Sequence, residues 1–170
     1  LGERAARRLA HDLREIDAIA SSMRDRGVAL PDALVVARIE RAAQDALAEQ
    51  GPGRATALAS TALAEARAAL QRLDVEEQRR ARAACRAAEE ARAALPEEEA
   101  RQLAGESLVA ADAALGSATA ALQRAAWRDA EAQFERARAL LARTADEIAR
   151  GWRGRAKAAR RALTAAVARA

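Results

Sequence analysis

The sequence predicts an all-α fold, an antiparallel helical bundle of long, coiled-coil-like helices. Three observations carry that expectation. Half of the chain is apolar, and most of that half is Ala, the strongest helix former, with Arg, Glu, Gln and Leu close behind it. Val, Ile, Thr and Phe are scarce, Tyr is absent, and nowhere do apolar and polar residues alternate as a strand requires. Leu and Ala recur instead at spacings of three and four, the seam of a heptad.

The first helix is expected over 3–26, where Ala6, Leu9, Leu13, Ile16, Ala20 and Met23 form one seam. Gly27 suits the left-handed residue that closes a helix, which places a turn at 27–30. Pro31 and Asp32 favour a helix start, giving a second helix over 31–50 with Leu34, Val36, Ile39, Ala43 and Leu47 on one broad side. Gly51-Pro52-Gly53 breaks it. A third helix over 54–95 carries Leu58, Ala62, Ala66, Leu70 and Leu73, and the pair Asp74 and Glu77 has the spacing of a capping box that could restart it there. Pro96 and three successive acids, Glu97 to Glu99, open a fourth helix over 97–126, since carboxylates lie well against the positive end of a helix. Its seam is Leu108, Ala111, Leu115, Ala118, Leu122 and Ala125. The seam then returns in a new phase as Phe134, Ala137, Leu141, Thr144 and Ile148, so a turn or register slip falls near 126–129 and a fifth helix covers 129–150. Gly151 and Gly154 are expected to set off the final stretch. The domain reading is therefore a helical bundle over 1–150 and a basic amphipathic tail helix over 151–170.

The core of such a bundle is thin. Aromatics are 2% of the chain, and a buried Ala contributes far less than the roughly 1.5–3 kcal/mol of a buried Leu or Phe. Stability has to come from many close helix contacts.

One segment resembles a known family. Ala126-Trp127-Arg128-Asp129-Ala130, followed by Phe134 and Ala137, is similar to the turn and second helix of a tetratricopeptide repeat. The resemblance spans 114–141 and implies a helical hairpin. Ala118 stands where the repeat usually has Gly, Ala121 where it usually has an aromatic, and no second copy follows 34 residues on.

Catalytic chemistry has little material here. The chain holds one His, one Cys, one Lys and no Tyr, so no enzyme activity, metal or cofactor is expected. His11 and Glu15 lie four apart, but the seam through Leu9 and Leu13 turns His11 outward. Cys85 reads as a small apolar filler, although Arg82 and Arg86 beside it could lower its thiol pKa. The acid pairs Glu76-Glu77 and Glu89-Glu90 read as exposed helix charges interleaved with Arg.

Net charge is +4, yet 28 of the 29 basic residues are Arg, which a GC-rich genome favours. The position of the charge says more. Residues 148–170 hold seven basic and no acidic residues, whereas 1–147 net −3. On a helix, Arg153, Lys157, Arg160 and Arg161 share one side, and Trp152, Ala156, Ala159, Leu163 and Val167 share another. Trp152, Arg153, Arg155, Lys157, Arg160 and Arg161 are thus candidates for binding a polyanion or an acidic partner, unless the stripe docks on the bundle. Trp127 and Phe134 are candidates for an interface. No apolar run approaches the length of a membrane span and no signal peptide opens the chain, so a cytoplasmic, soluble protein is expected.

Three functions follow in order. The first is a non-catalytic scaffold or adaptor that mediates protein–protein interaction or self-association. The second is a nucleic-acid-binding module that uses the tail, with an anionic membrane surface ranked after nucleic acid as the tail's partner. The third is a sensor or stalk domain cut from a larger membrane protein, which fits the long helices and the Leu1 start.

Overall fold

A computed structural model describes residues 2–29, 31 and 35–169. The fold is all-α, with five helices and no strand among the described residues. They are α1 (Gly2–Asp25), α2 (Val36–Gln50), α3 (Pro52–Ala93), α4 (Glu97–Gln123) and α5 (Trp127–Val167). The chain forms two compact units, 1–75 and 76–170, rather than parting at 150. α3 gives its first part to one and its remainder to the other.

In the first unit, α1 ends as its sequence requires. Gly27 takes a φ of +71°, and the Val28 amide reaches back to the Met23 carbonyl at 2.9 Å, so the orphan carbonyls of the last turn find donors. α2 begins at Val36 rather than at 31. Val35 is extended (φ −68°, ψ 118°), and its carbonyl accepts the first helical bonds, from Arg38 and Ile39. Asp32 and Leu34, expected at this helix start, lie outside the described residues. Gly51, at a φ of +84°, breaks the chain before Pro52. The core joins Ile16, Ile19 and Met23 of α1, Ile39 of α2, and Ala62, Leu63, Ala66 and Ala69 of α3. A smaller cluster sets Leu9 against Ala43, Ala46 and Ala55. α1 and α3 are also tied by polar contacts: Ser60 Oγ donates to the buried Asp12 carboxylate at 2.8 Å, and Arg67 donates twice to Glu15. The Arg26 guanidinium pairs with Asp74. That pairing, and unbroken helix through 77, show that Asp74 does not restart α3.

The second unit packs the rest of α3 against α4 and α5. Its larger cluster is nearly all Ala (Ala81, Ala84, Ala88, Ala118, Ala121 and Ala130) around one ring, Phe134. A second cluster joins Ala100, Ala104 and Leu108 to Ile148. Such small side chains let helix backbones approach closely, which replaces the missing bulk with many weak contacts. Arg92 holds the α3–α4 turn, its guanidinium lying 2.7 Å from Asp112 and 2.8 Å from Glu97. Glu97 sits in the first turn after Pro96, where the sequence places it. α4 departs from helical geometry at the buried Ala104 (φ −148°, ψ 34°), which the sequence does not announce. The α4–α5 turn lies at 124–126, with Ala125 in the left-handed region at a φ of +58°.

α5 corrects the expected break at Gly151. The helix runs on from Trp127 to Val167 without interruption. Gly151 is a spacer: a Cβ there would meet Leu103 Cδ2 at 2.9 Å, so its bare backbone lets α5 approach α4. Gly154 faces open space, and one helical Gly weakens a helix without ending it.

Candidate functional site

The informative surface is the end of α5. Its inner seam, Ala130, Phe134, Ala137, Leu141, Thr144 and Ile148, is buried, and it stops being covered after Gly151. Residues 152–169 are all exposed. The stretch from 152 to 167 is about 24 Å of helix at 1.5 Å per residue. The alternative that the tail stripe docks on the bundle is thereby corrected: Trp152 is 48% exposed, Leu163 66% and Val167 68%.

Five of the six expected tail residues project from this segment with little to hold them. Arg153, Lys157, Arg160 and Arg161 make no ion pair among the described residues. The sixth, Arg155, leans back, its guanidinium 5.5 Å from the centre of the Trp152 ring and 3.4 Å from Gln102 Oε1. At about 100° per residue Arg153, Arg160, Lys157 and Arg161 spread from one edge of the apolar stripe round towards the opposite face, and Arg155 borders the other edge.

The two interface candidates part company. Phe134 is 1% exposed and fills the Ala-walled core, so it offers no surface. Trp127 is half-buried against the same cluster, capping the hairpin that the sequence suggested there. Phe134 is enclosed by the Ala seams, and Trp127 packs against the same cluster from the turn.

Cys85 packs at the edge of this cluster. Burial, followed by the carboxylate of Glu89, pushes its thiol pKa up, opposite to the lowering that its Arg neighbours suggested. Glu77, expected as an exposed charge, is buried near Arg128 of α5, their charged atoms 3.9 Å apart. His11 is exposed, as its outward position predicts, with Nδ1 3.6 Å from Asp12.

A second surface was not visible in the sequence. In the first unit an apolar groove of about 360 Å³ is lined by Ala5, Ala6, Leu9, Ala10 and Leu13 of α1, Leu47 of α2, and Pro52, Ala55 and Thr56 of α3. Ala6, Leu9 and Leu47 were expected on packed seams, but α2 has 15 residues against the 24 of α1 and cannot cover the whole stripe. Leu47 stays 48% exposed on the groove wall.

The chain matches no family model, no curated protein and no solved structure. No helix among the described residues is long and apolar enough to cross a membrane.

Proposed function

We propose that the protein is a non-catalytic, cytoplasmic helical adaptor that receives an amphipathic helix of a protein partner in the groove of its first unit. The observation that carries this reading is the open apolar stripe of Ala6, Leu9, Ala10 and Leu13, walled by Leu47 and Ala55. Side chains of this size leave a furrow between helices, and a helix laid in a furrow buries its apolar face at spacings of three and four. Exposed apolar grooves of this kind mark interaction surfaces more often than isolated exposed residues do. The α4–α5 hairpin, with Trp127 at its turn, adds a tetratricopeptide-like element of the sort that adaptors stack, and belongs to the same reading.

The test places a photo-crosslinking residue at Leu47, with the 71%-exposed Val109 of the second unit as the control position. The adaptor reading expects a discrete adduct from Leu47 that is absent from Val109 and lost when Ala6→Arg fills the groove. An adduct of twice the chain mass identifies the partner helix as that of a second copy. The same adducts from both positions, or none from Leu47, refute the reading.

A further inference from the structure

The end of α5 poses a question that a partner helix in the groove of the first unit does not answer: why an apolar stripe and a row of basic side chains without ion pairs share one bare stretch of helix. We propose that residues 152–167 lie on an anionic phospholipid surface, with Trp152, Leu163 and Val167 directed into the acyl boundary and the basic side chains on the headgroup phosphates. This goes beyond the adaptor reading and does not depend on it.

Two observations select lipid over other polyanions. The first is charge: the segment carries Arg153, Arg155, Lys157, Arg160 and Arg161 and no acid, so it suits an anionic surface and repels a second copy of itself. The second is the exposure of the large apolar residues, which are bare along a stripe spanning the whole segment. A nucleic acid groove would engage the basic side chains and leave Trp152, Leu163 and Val167 in water. A lipid surface takes up both. A helix with Trp and Leu on one face, Arg and Lys beside it and low overall hydrophobicity is the form that lies in the plane of a membrane interface. The positions agree with that geometry: Arg153 and Arg160 border the stripe on one flank and Arg155 on the other, where long side chains can run along the apolar boundary and keep their charge in the headgroup layer, and Lys157 and Arg161 lie farther round on the polar face. Trp152 sits where the bare segment begins, and indole prefers this interface. The arrangement asks for no transmembrane insertion.

The experiment is co-sedimentation of the full chain with vesicles of phosphatidylcholine alone or with 30% phosphatidylglycerol, at 50 and 300 mM salt, alongside tryptophan emission. Binding is expected only with the anionic lipid, weaker at 300 mM salt, and with a blue shift that Trp152→Phe abolishes. Each basic residue near an anionic surface raises partitioning by roughly fivefold, so the quadruple variant of Arg153, Lys157, Arg160 and Arg161 to Gln should lose on the order of several hundredfold. The variant Leu163→Glu with Val167→Glu should lose binding as well while leaving the helical content of the bundle unchanged, because neither side chain contacts it. Three results overturn the proposal. One is equal sedimentation with neutral vesicles. Another is no binding to anionic vesicles at 50 mM salt. The third is binding that the charge variant abolishes but the Leu163 and Val167 variant leaves intact, which would mark a phosphate-binding surface and point to nucleic acid.

Discussion

Replacing Gly151 by Ala sets two effects of similar size against each other, and the structure decides between them. In a helix interior the change from Gly to Ala gains up to about 1 kcal/mol. Gly116, exposed in α4 with nothing within 4 Å of an added Cβ, should realise that gain. For a unit of fewer than 100 residues it amounts to a rise in Tm of roughly 4–8 °C. At Gly151 the same Cβ would lie 2.9 Å from Leu103 Cδ2, 3.1 Å from Cδ1 and 3.2 Å from Cγ. With Cγ among the atoms in the way, turning the leucine tip does not clear the space, and overpacking of this kind costs about 1–3 kcal/mol. The net expectation is a loss of about 1 kcal/mol, so the two glycines should respond with opposite signs. Thermal unfolding followed by circular dichroism measures both variants. A double-mutant cycle of Gly151→Ala with Leu103→Ala should show favourable coupling of about 1–3 kcal/mol, because truncating Leu103 removes the clash. If Gly151→Ala stabilises the protein as Gly116→Ala does, or the coupling is zero, then the approach of α5 to α4 does not depend on a bare backbone at this crossing and Gly151 is no spacer.

Four further outcomes follow from the same structure. Phe134→Ala removes the one ring of the Ala-walled core and should cost about 3–5 kcal/mol, read as a fall in Tm or in the denaturant midpoint. Ala125→Gly relieves a left-handed L-residue and should stabilise by up to about 1 kcal/mol, whereas a rise in the unfolding rate would count against that turn geometry. The Glu97 carboxyl is held below its usual range by its hydrogen bond to Arg92, so its contribution is present above the unfolded pKa of about 4.3 and is lost as pH falls through the lower folded value. The variant Glu97→Gln should accordingly show a shallower loss of Tm below pH 4.3 than the wild type, and parallel curves would remove the pair from the account. Finally, the Cys85 thiol, raised by burial and Glu89, should react with a neutral alkylating reagent more slowly than a free thiol at pH 8, with its rate profile displaced to higher pH.

The helices were legible because their signals are local. Gly27, Gly51 and Pro96 end or begin helices through backbone chemistry that needs no partner, and seam residues from Ile16 to Met23 and from Phe134 to Ile148 are buried as their spacing implies. What misled was local chemistry overridden by packing. Gly151 looks like a breaker until Leu103 is beside it, and Ala125 makes a turn without any turn residue, since α4 and α5 together impose its conformation. Glu77 looks exposed in a run of charges, yet it is buried with Arg128 of another helix nearby, a neighbour that the local sequence does not show. Of the candidate sites, the basic tail was readable from charge alone. Its bareness was not, because the same stripe of Trp152, Leu163 and Val167 describes a docked helix equally well. The groove of the first unit was hidden for a related reason: its residues carry an ordinary core pattern, and only the shortness of α2 leaves them uncovered.

The Ala-lined seams reverse the usual direction of mutational risk. In a core of Leu and Phe, damage comes mostly from lost atoms, and neighbours relax into the space. Ala81, Ala88, Ala111, Ala118, Ala121, Ala130 and Ala137 are fully enclosed and have almost nothing to lose. Nearly every replacement adds bulk or charge where two backbones already meet, so drift along these seams is confined to the smallest side chains. An alanine-rich composition that arises from nucleotide bias would then be held in place by geometry, and the sequence would stay simple long after the bias had gone.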